Sequence, residues 1–267
     1  MLIGDVVGRP GREIVEKAVP LLRSELSLDL IVVNAENSAG GSGINGLIFN
    51  DLMRCGIDGI TLGDHAYRCR EIFPTLEKEE RIIRPGNYPL VAPGKSAMRL
   101  ETARGHKVSV FSLLGRVFMQ PVDCPFAAAD RILADFPDDT DAILLDFHAE
   151  ATSDKQLMGR YLDGRVAAVL GTHTHVATAD ETILPGGTAF QCDVGMTGPF
   201  ESILGRRIDR VMETVRTFRP TKYDVAENDV RLNGTVVEYD TQAKRAIAIK
   251  RVVARLDENN AVSLHIA

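Results

Sequence analysis

Short apolar segments alternate with amphipathic segments along the first two-thirds of the chain. Six apolar segments have the length and composition of buried strands: residues 2–3, 30–33, 59–62, 107–113, 142–147 and 166–170. Four of the segments between them have apolar positions at helical spacing: residues 14–26, 45–55, 126–136 and 153–162. Pro20 lies inside the first of these, and we expect it to kink or divide that helix. Strands that alternate with helices predict βαβ units and a largely parallel sheet.

The last part of the chain has a different pattern. Residues 230–239 and 246–256 are β-rich, alternate in part, and are separated by the polar residues 240–245. We expect an antiparallel addition here, forming a second sheet packed on the first. The sequence therefore predicts an α/β fold with two layers of sheet, in a single domain over residues 1–267 whose β-rich C-terminal part spans about 225–267.

Polar side chains follow five of the predicted strands at the point where each strand ends. They include three carboxylates, two amides and four histidines: Asp5, Asn34, Glu36, Asn37, Asp64, His65, His148, His173 and His175. Ligands of open α/β sheets bind at the carboxyl ends of the strands. If the strands are parallel neighbours, these side chains converge in one crevice.

Carboxylates that lie this close together repel one another, and a bound cation removes the repulsion. Imidazole and carboxylate without thiolate suit zinc, manganese or iron. Because the ligands exceed the four of a tetrahedral site, we expect two ions bridged by a carboxylate and a hydroxide.

Several of these residues also have an ordinary structural explanation. Asp5 could cap the following helix, and Asn34 and Asn37 could be turn residues. His148, taken alone, is better explained as a hydrogen-bonded histidine of the core.

The histidines of the segment Gly-Thr-His-Thr-His give the strongest metal signal. His173 and His175 are two residues apart just after an apolar strand, so in an extended segment they would point to the same side. His106 and His265 lie outside the pattern and are assigned no role.

Composition narrows the possible partners. The 267 residues include 31 Lys and Arg against 37 Asp and Glu, and the net charge of −6 argues against nucleic acid as the main partner. The four cysteines form no C-x-x-C pair, which excludes a four-cysteine zinc site. With no secretory signal and no apolar run near the ~20 residues that span a bilayer, we expect a cytoplasmic protein with reduced thiols and no membrane partner.

Five short motifs occur in an order that identifies a family. Residues 4–11 read GDVVGRPG, residues 34–37 read NAEN, residues 146–153 read DFHAEATS, residues 171–176 read GTHTHV and residues 193–199 read DVGMTGP. With them, the chain resembles the YmdB-type bacterial branch of the calcineurin-like metallophosphoesterases. The resemblance extends from residue 2 to about residue 205. It implies a metallophosphoesterase-type β-sheet sandwich flanked by helices.

The resemblance also implies a binuclear site of iron or manganese and divides its ligands. One ion would be held by Asp5, Glu36 and His175. The other would be held by Glu36, Asn37, Asp64, His148 and His173. His65 corresponds to the histidine beside the leaving group, a general acid. The usual Gly-Asn-His of the family is Gly63-Asp64-His65 here, so a charged ligand replaces a neutral one.

The predicted reaction is metal-dependent hydrolysis of a small anionic phosphodiester by a homo-oligomeric enzyme. The charges of two divalent ions would be balanced by three carboxylates and one hydroxide, which favours a singly charged diester over a dianionic monoester. Members of the family act on cyclic nucleotides, so 2′,3′- and 3′,5′-cyclic nucleotides are both candidates. Two alternatives stay open: a regulatory or RNA-associated scaffold with little turnover, and a hydrolase of carbon esters or amides.

Overall fold

The structure, a computed structural model, describes residues 1–257 and 261–266. Its helices are Gly8–Glu25 (α1), Gly46–Arg54 (α2), Phe73–Lys78 (α3), Pro125–Ala134 (α4), Thr152–Tyr161 (α5) and Ile208–Thr217 (α6), with a 3₁₀ turn at Arg70–Ile72. Its strands are Leu2–Ile3 (β1), Asp5–Val6 (β2), Val32–Asn34 (β3), Gly59–Thr61 (β4), Ile82–Ile83 (β5), Ala97–Glu101 (β6), Lys107–Leu114 (β7), Ala142–His148 (β8), Ala168–Thr172 (β9), Thr182–Ile183 (β10), Ala189–Gln191 (β11), Met196–Pro199 (β12), Val230–Asp240 (β13), Arg245–Leu256 (β14) and Val262–Ile266 (β15).

The strands form two mixed sheets. The first has the order β15-β14-β13-β1-β3-β4-β5, and β12 and β2 join it through β13. The second has the order β10-β11-β9-β8-β7-β6. Strands β1, β3, β4 and β5 are parallel to one another, as are β7, β8, β9 and β11 and the pair β2 and β12. Strands β6, β10, β13, β14 and β15 are antiparallel to their neighbours. The predicted parallel strands are present, but they are divided between two sheets, and each sheet is mixed instead of largely parallel.

The C-terminal strands form the predicted antiparallel pair but no sheet of their own. β13 pairs with β1, with Leu2 opposite Thr235, so the tail extends the first sheet. It does so because the free edge of β1 offers backbone donors and acceptors that a further strand satisfies. Residues 258–260 and 267 of the predicted β-rich part lie outside the described residues, and the single domain stays a prediction.

Successive side chains along a strand point to opposite faces of its sheet, so each sheet packs against the other sheet on one face and against helices on the other. Leu2 and Val32 point into a core between the sheets, which they share with Val110 of the second sheet. Their neighbours Ile3 and Val33 point the other way, toward α1 and α2. Helices α4 and α5 cover the outer face of the second sheet in the same manner. The predicted sandwich of two sheets flanked by helices is confirmed.

Helix α1 continues through Pro20, so the predicted division of this helix does not occur. Pro20 is exposed, as is Glu16, whose carbonyl loses its helical hydrogen-bond partner to the proline. Within the described residues, the helices are all too short or too polar to cross a bilayer.

Candidate metal centre and active site

The predicted site residues come from both sheets. Asp5 begins β2, Glu36 follows β3 and Asp64 follows β4, while His148 ends β8 and His173 follows β9. The carboxyl ends of these strands meet at one end of the sandwich. The expected crevice therefore exists, but it lies between two sheets instead of along the edge of one.

Glu36, Asp64, His148 and His173 form the centre of this crevice. Each presents one ligand atom, and the four atoms lie within 4.8 Å of one another. Nε2 of His148 lies 3.0 Å from Oδ1 of Asp64 and 3.0 Å from Nδ1 of His173. Two imidazoles and two carboxylates that face one point form a donor set for a divalent cation.

The pKa values in the centre follow from burial and from His148. Burial disfavours the ionised form of Glu36, but the charge of His148 outweighs it and lowers the pKa. Burial also opposes ionisation of Asp64, yet hydrogen bonds from His148 and His173 hold its pKa well below the usual range. In Asp5 burial dominates and raises the pKa to about 7.

Asp5 lies at the bottom of the crevice and is fully buried. Its Oδ2 accepts a hydrogen bond from the backbone N–H of His173, but its Oδ1 has no hydrogen-bond partner among the residues that the structure describes. The residue before α1 is Val7, so Asp5 does not cap that helix. A buried acceptor without a donor is unfavourable, and a cation beside Oδ1 would satisfy it.

His175 faces Asp5 from the other side. Its Nδ1 lies 3.3 Å from the carbonyl oxygen of Leu204, which can only accept, so Nδ1 carries the hydrogen. Its Nε2 keeps a lone pair 3.9 Å from Oδ1 of Asp5 and 3.3 Å from Nδ2 of Asn37. Asn37 Nδ2 also donates to Oε1 of Glu36, at 3.2 Å. Asn37 therefore lies between His175, which faces Asp5, and Glu36 in the centre of the crevice.

The backbone of the two histidines is not extended, and the prediction that they point to the same side is wrong. His173 has φ 95° and His175 has φ 65°, both in the left-handed region. This turn sends His173 toward His148 and Asp64, and it sends His175 toward Asp5 and Asn37.

His65 lies at the mouth of the crevice, with 26% of its side chain exposed. Its backbone N–H donates to Oε2 of Glu36 at 2.8 Å. Its Nδ1 lies 2.7 Å from Oδ1 of Asn37, an acceptor, so Nδ1 carries a hydrogen there. Its Nε2 lies 3.6 Å from Oδ2 of Asp64, beyond hydrogen-bond distance, and makes no hydrogen bond within the described part of the chain.

Comparison with known proteins places the chain in a family. The family model described as YmdB-like protein matches residues 1–252. The chain belongs to the YmdB-like family. It is 42% identical over 257 residues to the 2′,3′-cyclic-nucleotide 2′-phosphodiesterase of Bacillus subtilis (strain 168), covering 96% of this chain and 97% of that protein. It is 31% identical to a putative phosphatase/phosphodiesterase of Mycoplasma genitalium, covering 97% of this chain and 93% of that protein.

Solved structures of similar proteins have the same fold. A hypothetical protein from Thermus thermophilus superposes with a TM-score of 0.90 at 40% identity, covering 95% of this chain and 98% of that one. A phosphatase from Mycoplasma pneumoniae superposes with a TM-score of 0.89 at 30% identity, covering 95% and 92%. The predicted family, fold and enzyme class, a phosphodiesterase, are confirmed, and the site contains a metal-binding group.

Asp146 supports the centre of this YmdB-like protein, and the sequence analysis did not assign it a role. It is fully buried, and its Oδ1 accepts a hydrogen bond of 2.6 Å from the hydroxyl of Thr172. The same hydroxyl lies 2.8 Å from Nδ1 of His148. Because the hydroxyl donates to Asp146, it accepts from His148, so Nδ1 of His148 carries a hydrogen and Nε2 is the ring nitrogen that a cation in the centre would bind in place of a proton. Asn34 donates to Asp146 at 3.0 Å, so it joins the two sheets and is not a turn residue.

Asp193 supports the histidine turn and was also missed. Its Oδ2 accepts hydrogen bonds from the backbone N–H of Thr174 at 3.0 Å and from the Thr174 hydroxyl at 2.8 Å. Lys155, which is 2% exposed, donates to the same oxygen at 2.7 Å. Asp146 and Asp193 each begin one of the family motifs, and this position could have identified them as functional residues. No motif or pattern in the sequence singles out Lys155, because it lies in an amphipathic segment among other polar residues.

Gly63 allows its loop to approach the centre closely. A Cβ atom at this position would collide with the ring of His148 and the carboxylate of Glu36. The glycine before Asp64 is therefore required by the backbone's close approach.

Proposed function

We propose that this chain hydrolyses cyclic nucleotides, with 2′,3′-cyclic nucleotides as the main substrate class. The observation that carries the proposal is the position of His65, whose free Nε2 lies at the mouth of a crevice that contains a metal-binding group. The name of the Bacillus subtilis relative supports the choice of the 2′,3′-cyclic ring.

Two divalent ions, iron or manganese, would occupy the crevice. The first would be held by Asp5, Glu36 and His175. The second would be held by Glu36, Asn37, Asp64, His148 and His173. The Oδ1 of Asp5, the lone pair on Nε2 of His175 and the position of His148 Nε2 beside Asp64 and His173 support this arrangement. When bound, such ions lower the pKa of water toward 7 and polarise the phosphoryl oxygens.

His65 would act as the general acid. In its charged form, Nδ1–H donates to Asn37 and orients the ring, while Nε2–H is free for the leaving oxygen of the ribose. The carboxylates of Glu36 and Asp64 lie 3.4 and 3.6 Å from the two ring nitrogens, so the ring is positioned beside the metal-binding group. Alkoxides are poor leaving groups, so donation of a proton by Nε2 lowers the barrier to their departure.

The experiment compares His65→Ala with wild type on two substrates. On a 2′,3′-cyclic nucleotide we expect a loss of about 10²–10⁴-fold in kcat, the scale of a missing general acid. On bis-p-nitrophenyl phosphate, whose leaving group needs no proton, we expect a much smaller loss. Metal content should be unchanged. His106→Ala, a histidine pairing with Asp141 outside the crevice, is the control and should match wild type.

Equal losses on both substrates with intact metal content would remove His65 from the role of general acid. Bound metal without turnover of either substrate would favour the regulatory or RNA-associated scaffold. Hydrolysis of p-nitrophenyl acetate in place of the diester would favour a carbon-ester hydrolase. The homo-oligomer and the cytoplasmic location stay predictions.

A further inference from the structure

The loop after β7 closes on itself next to the crevice. Gly115, its first residue, donates its backbone N–H to the carbonyl oxygen of His148 at 3.0 Å. The buried side chain of Asn87 donates to the carbonyl oxygens of Leu114 at 2.9 Å and Asp123 at 3.1 Å. Both ends of the loop at residues 115–123 are thereby pinned together, as in the compact Ω-loops that often carry functional residues.

The middle of the loop is tied to the opposite sheet. Gln120 donates to the hydroxyl of Tyr88 at 2.7 Å, and that hydroxyl donates to the carbonyl oxygen of Gly63 at 3.3 Å. Gly63 directly precedes Asp64. The loop therefore spans the edge of the crevice from the strand of His148 to the turn of Asp64 and His65.

Phe118 lies at the tip of this loop, and nothing in the described part of the chain covers it. It is 89% exposed, and its φ of 61° lies in the left-handed region, which is uncommon for a residue with a large side chain. The preceding residues are held by Asp154, whose Oδ2 accepts from the backbone N–H groups of Arg116 at 3.0 Å and Val117 at 3.1 Å. An aromatic ring is thus presented to solvent by a fixed backbone.

Phe118 lies close to both anchors of the loop. Phe118 is three residues from Gly115 and two from Gln120, so its Cα lies at most about 10 Å from one anchor and about 7 Å from the other. Since these anchors contact His148 and Gly63, Phe118 lies on the side of the crevice from which the ribose and base of a bound nucleotide could extend.

We propose that Phe118 binds the base of the nucleotide by stacking, an inference that rests on the proposed function. Any base offers a π-face to an aromatic ring, so this contact would select for nucleotides over other phosphodiesters without selecting one base. The loop would then serve recognition, while the residues of the crevice serve hydrolysis.

The test compares substrates with and without a base. The pair is 2′,3′-cyclic AMP and the 2,3-cyclic phosphate of methyl riboside, which has the same reacting ring and no base. Phe118→Ala should lower kcat/KM for cyclic AMP by about 5- to 100-fold, the effect of losing one stacked base. It should leave kcat/KM for the methyl riboside unchanged. Phe118→Trp should retain most of the activity on cyclic AMP, and Phe118→Leu, apolar but without a ring, should not.

Phe218→Ala is a matched control, because Phe218 is 92% exposed with φ 55° and lies at the end of α6. It should behave as wild type on both substrates. Equal effects of Phe118→Ala on the two substrates, or no effect on either, would overturn the stacking proposal. Failure of wild type to hydrolyse both substrates would contradict the proposed function instead.

A binding measurement tests the role of Phe118 independently of catalysis. Calorimetry with metal-loaded protein would compare 3′-AMP with ribose 3-phosphate. Phe118→Ala should weaken only the binding of 3′-AMP, and an unchanged affinity would overturn the stacking proposal in this case as well.

Discussion

The ammonium group of Lys155 lies 2.7 Å from Oδ2 of Asp193, and both side chains are almost fully buried. Since Asp193 also holds Thr174 between the two histidines, this ion pair connects α5 to the metal centre. A buried charge that loses its partner is strongly destabilising, whereas an exposed one is not.

Lys155→Met should therefore lower the free energy of unfolding by about 3 kcal/mol or more, because it leaves Asp193 without its cation. The control Lys250→Met breaks an exposed pair with Glu238, and it should cost no more than about 1 kcal/mol. Denaturant unfolding of both variants measures the difference. Equal losses of unfolding free energy in the two variants would show that the buried ion pair contributes no more to stability than the exposed one.

Thr172→Val should weaken metal binding while the fold is retained. Valine has the shape of threonine but cannot connect His148 to Asp146, so the ring of His148 is no longer fixed with Nε2 toward the centre. Loss of such a supporting contact lowers metal affinity by about 10–100-fold. Competition with a chelator measures the affinity. Thr172→Ser keeps the hydroxyl and should bind metal as wild type does; if it is as weak as Thr172→Val, the hydroxyl is not the cause.

Asp64→Asn should make the metal easier to remove. The carboxylate of Asp64 faces His148 and His173, and an amide in its place donates less charge to a cation. We expect a lower chelator concentration to strip the variant, and we expect activity to return when metal is in excess. Tighter metal retention by the variant would contradict this role of Asp64.

Cys124 should be the first thiol to react with iodoacetamide at neutral pH. It is exposed, and hydrogen bonding from the backbone N–H of Ala127 at the start of α4 lowers its pKa. Burial raises the pKa of Cys192 to about 12 and also raises the pKa values of Cys55 and Cys69. Peptide mass spectrometry of a time course gives the order. Cys124→Ser should remove the fast phase, and early labelling of Cys192 would contradict the prediction.

The positions of the ligands along the chain could be predicted, because a polar residue directly after an apolar strand is a local pattern. Asp5, Glu36 and Asp64 were found in this way, and Asp146 lay unassigned two residues before His148 in the same strand. The division of these strands between two sheets could not be predicted, because short parallel strands have the same pattern in either sheet.

The conformation of the turn that contains His173 and His175 could not be predicted from the sequence either. The left-handed φ of His173 and His175 depends on Asp193, which lies 18 residues beyond His175 and contacts the turn only in the folded chain. Lys155 is the same kind of case, since a lysine in an amphipathic helix is ordinarily on the surface. Long-range partners, not local preferences, determine both.

The pairing of Leu2 with Thr235 has a consequence for the order in which the protein folds on the ribosome. Asp5 begins β2, which pairs with β12, and the neighbouring β1 pairs with β13, so both partner strands are synthesised long after Asp5. Contacts so distant in sequence form late and slow the folding rate. While β12 and β13 are still inside the ribosome, Asp5 would lie on an incomplete sheet, so the metal centre would form only after both strands have emerged.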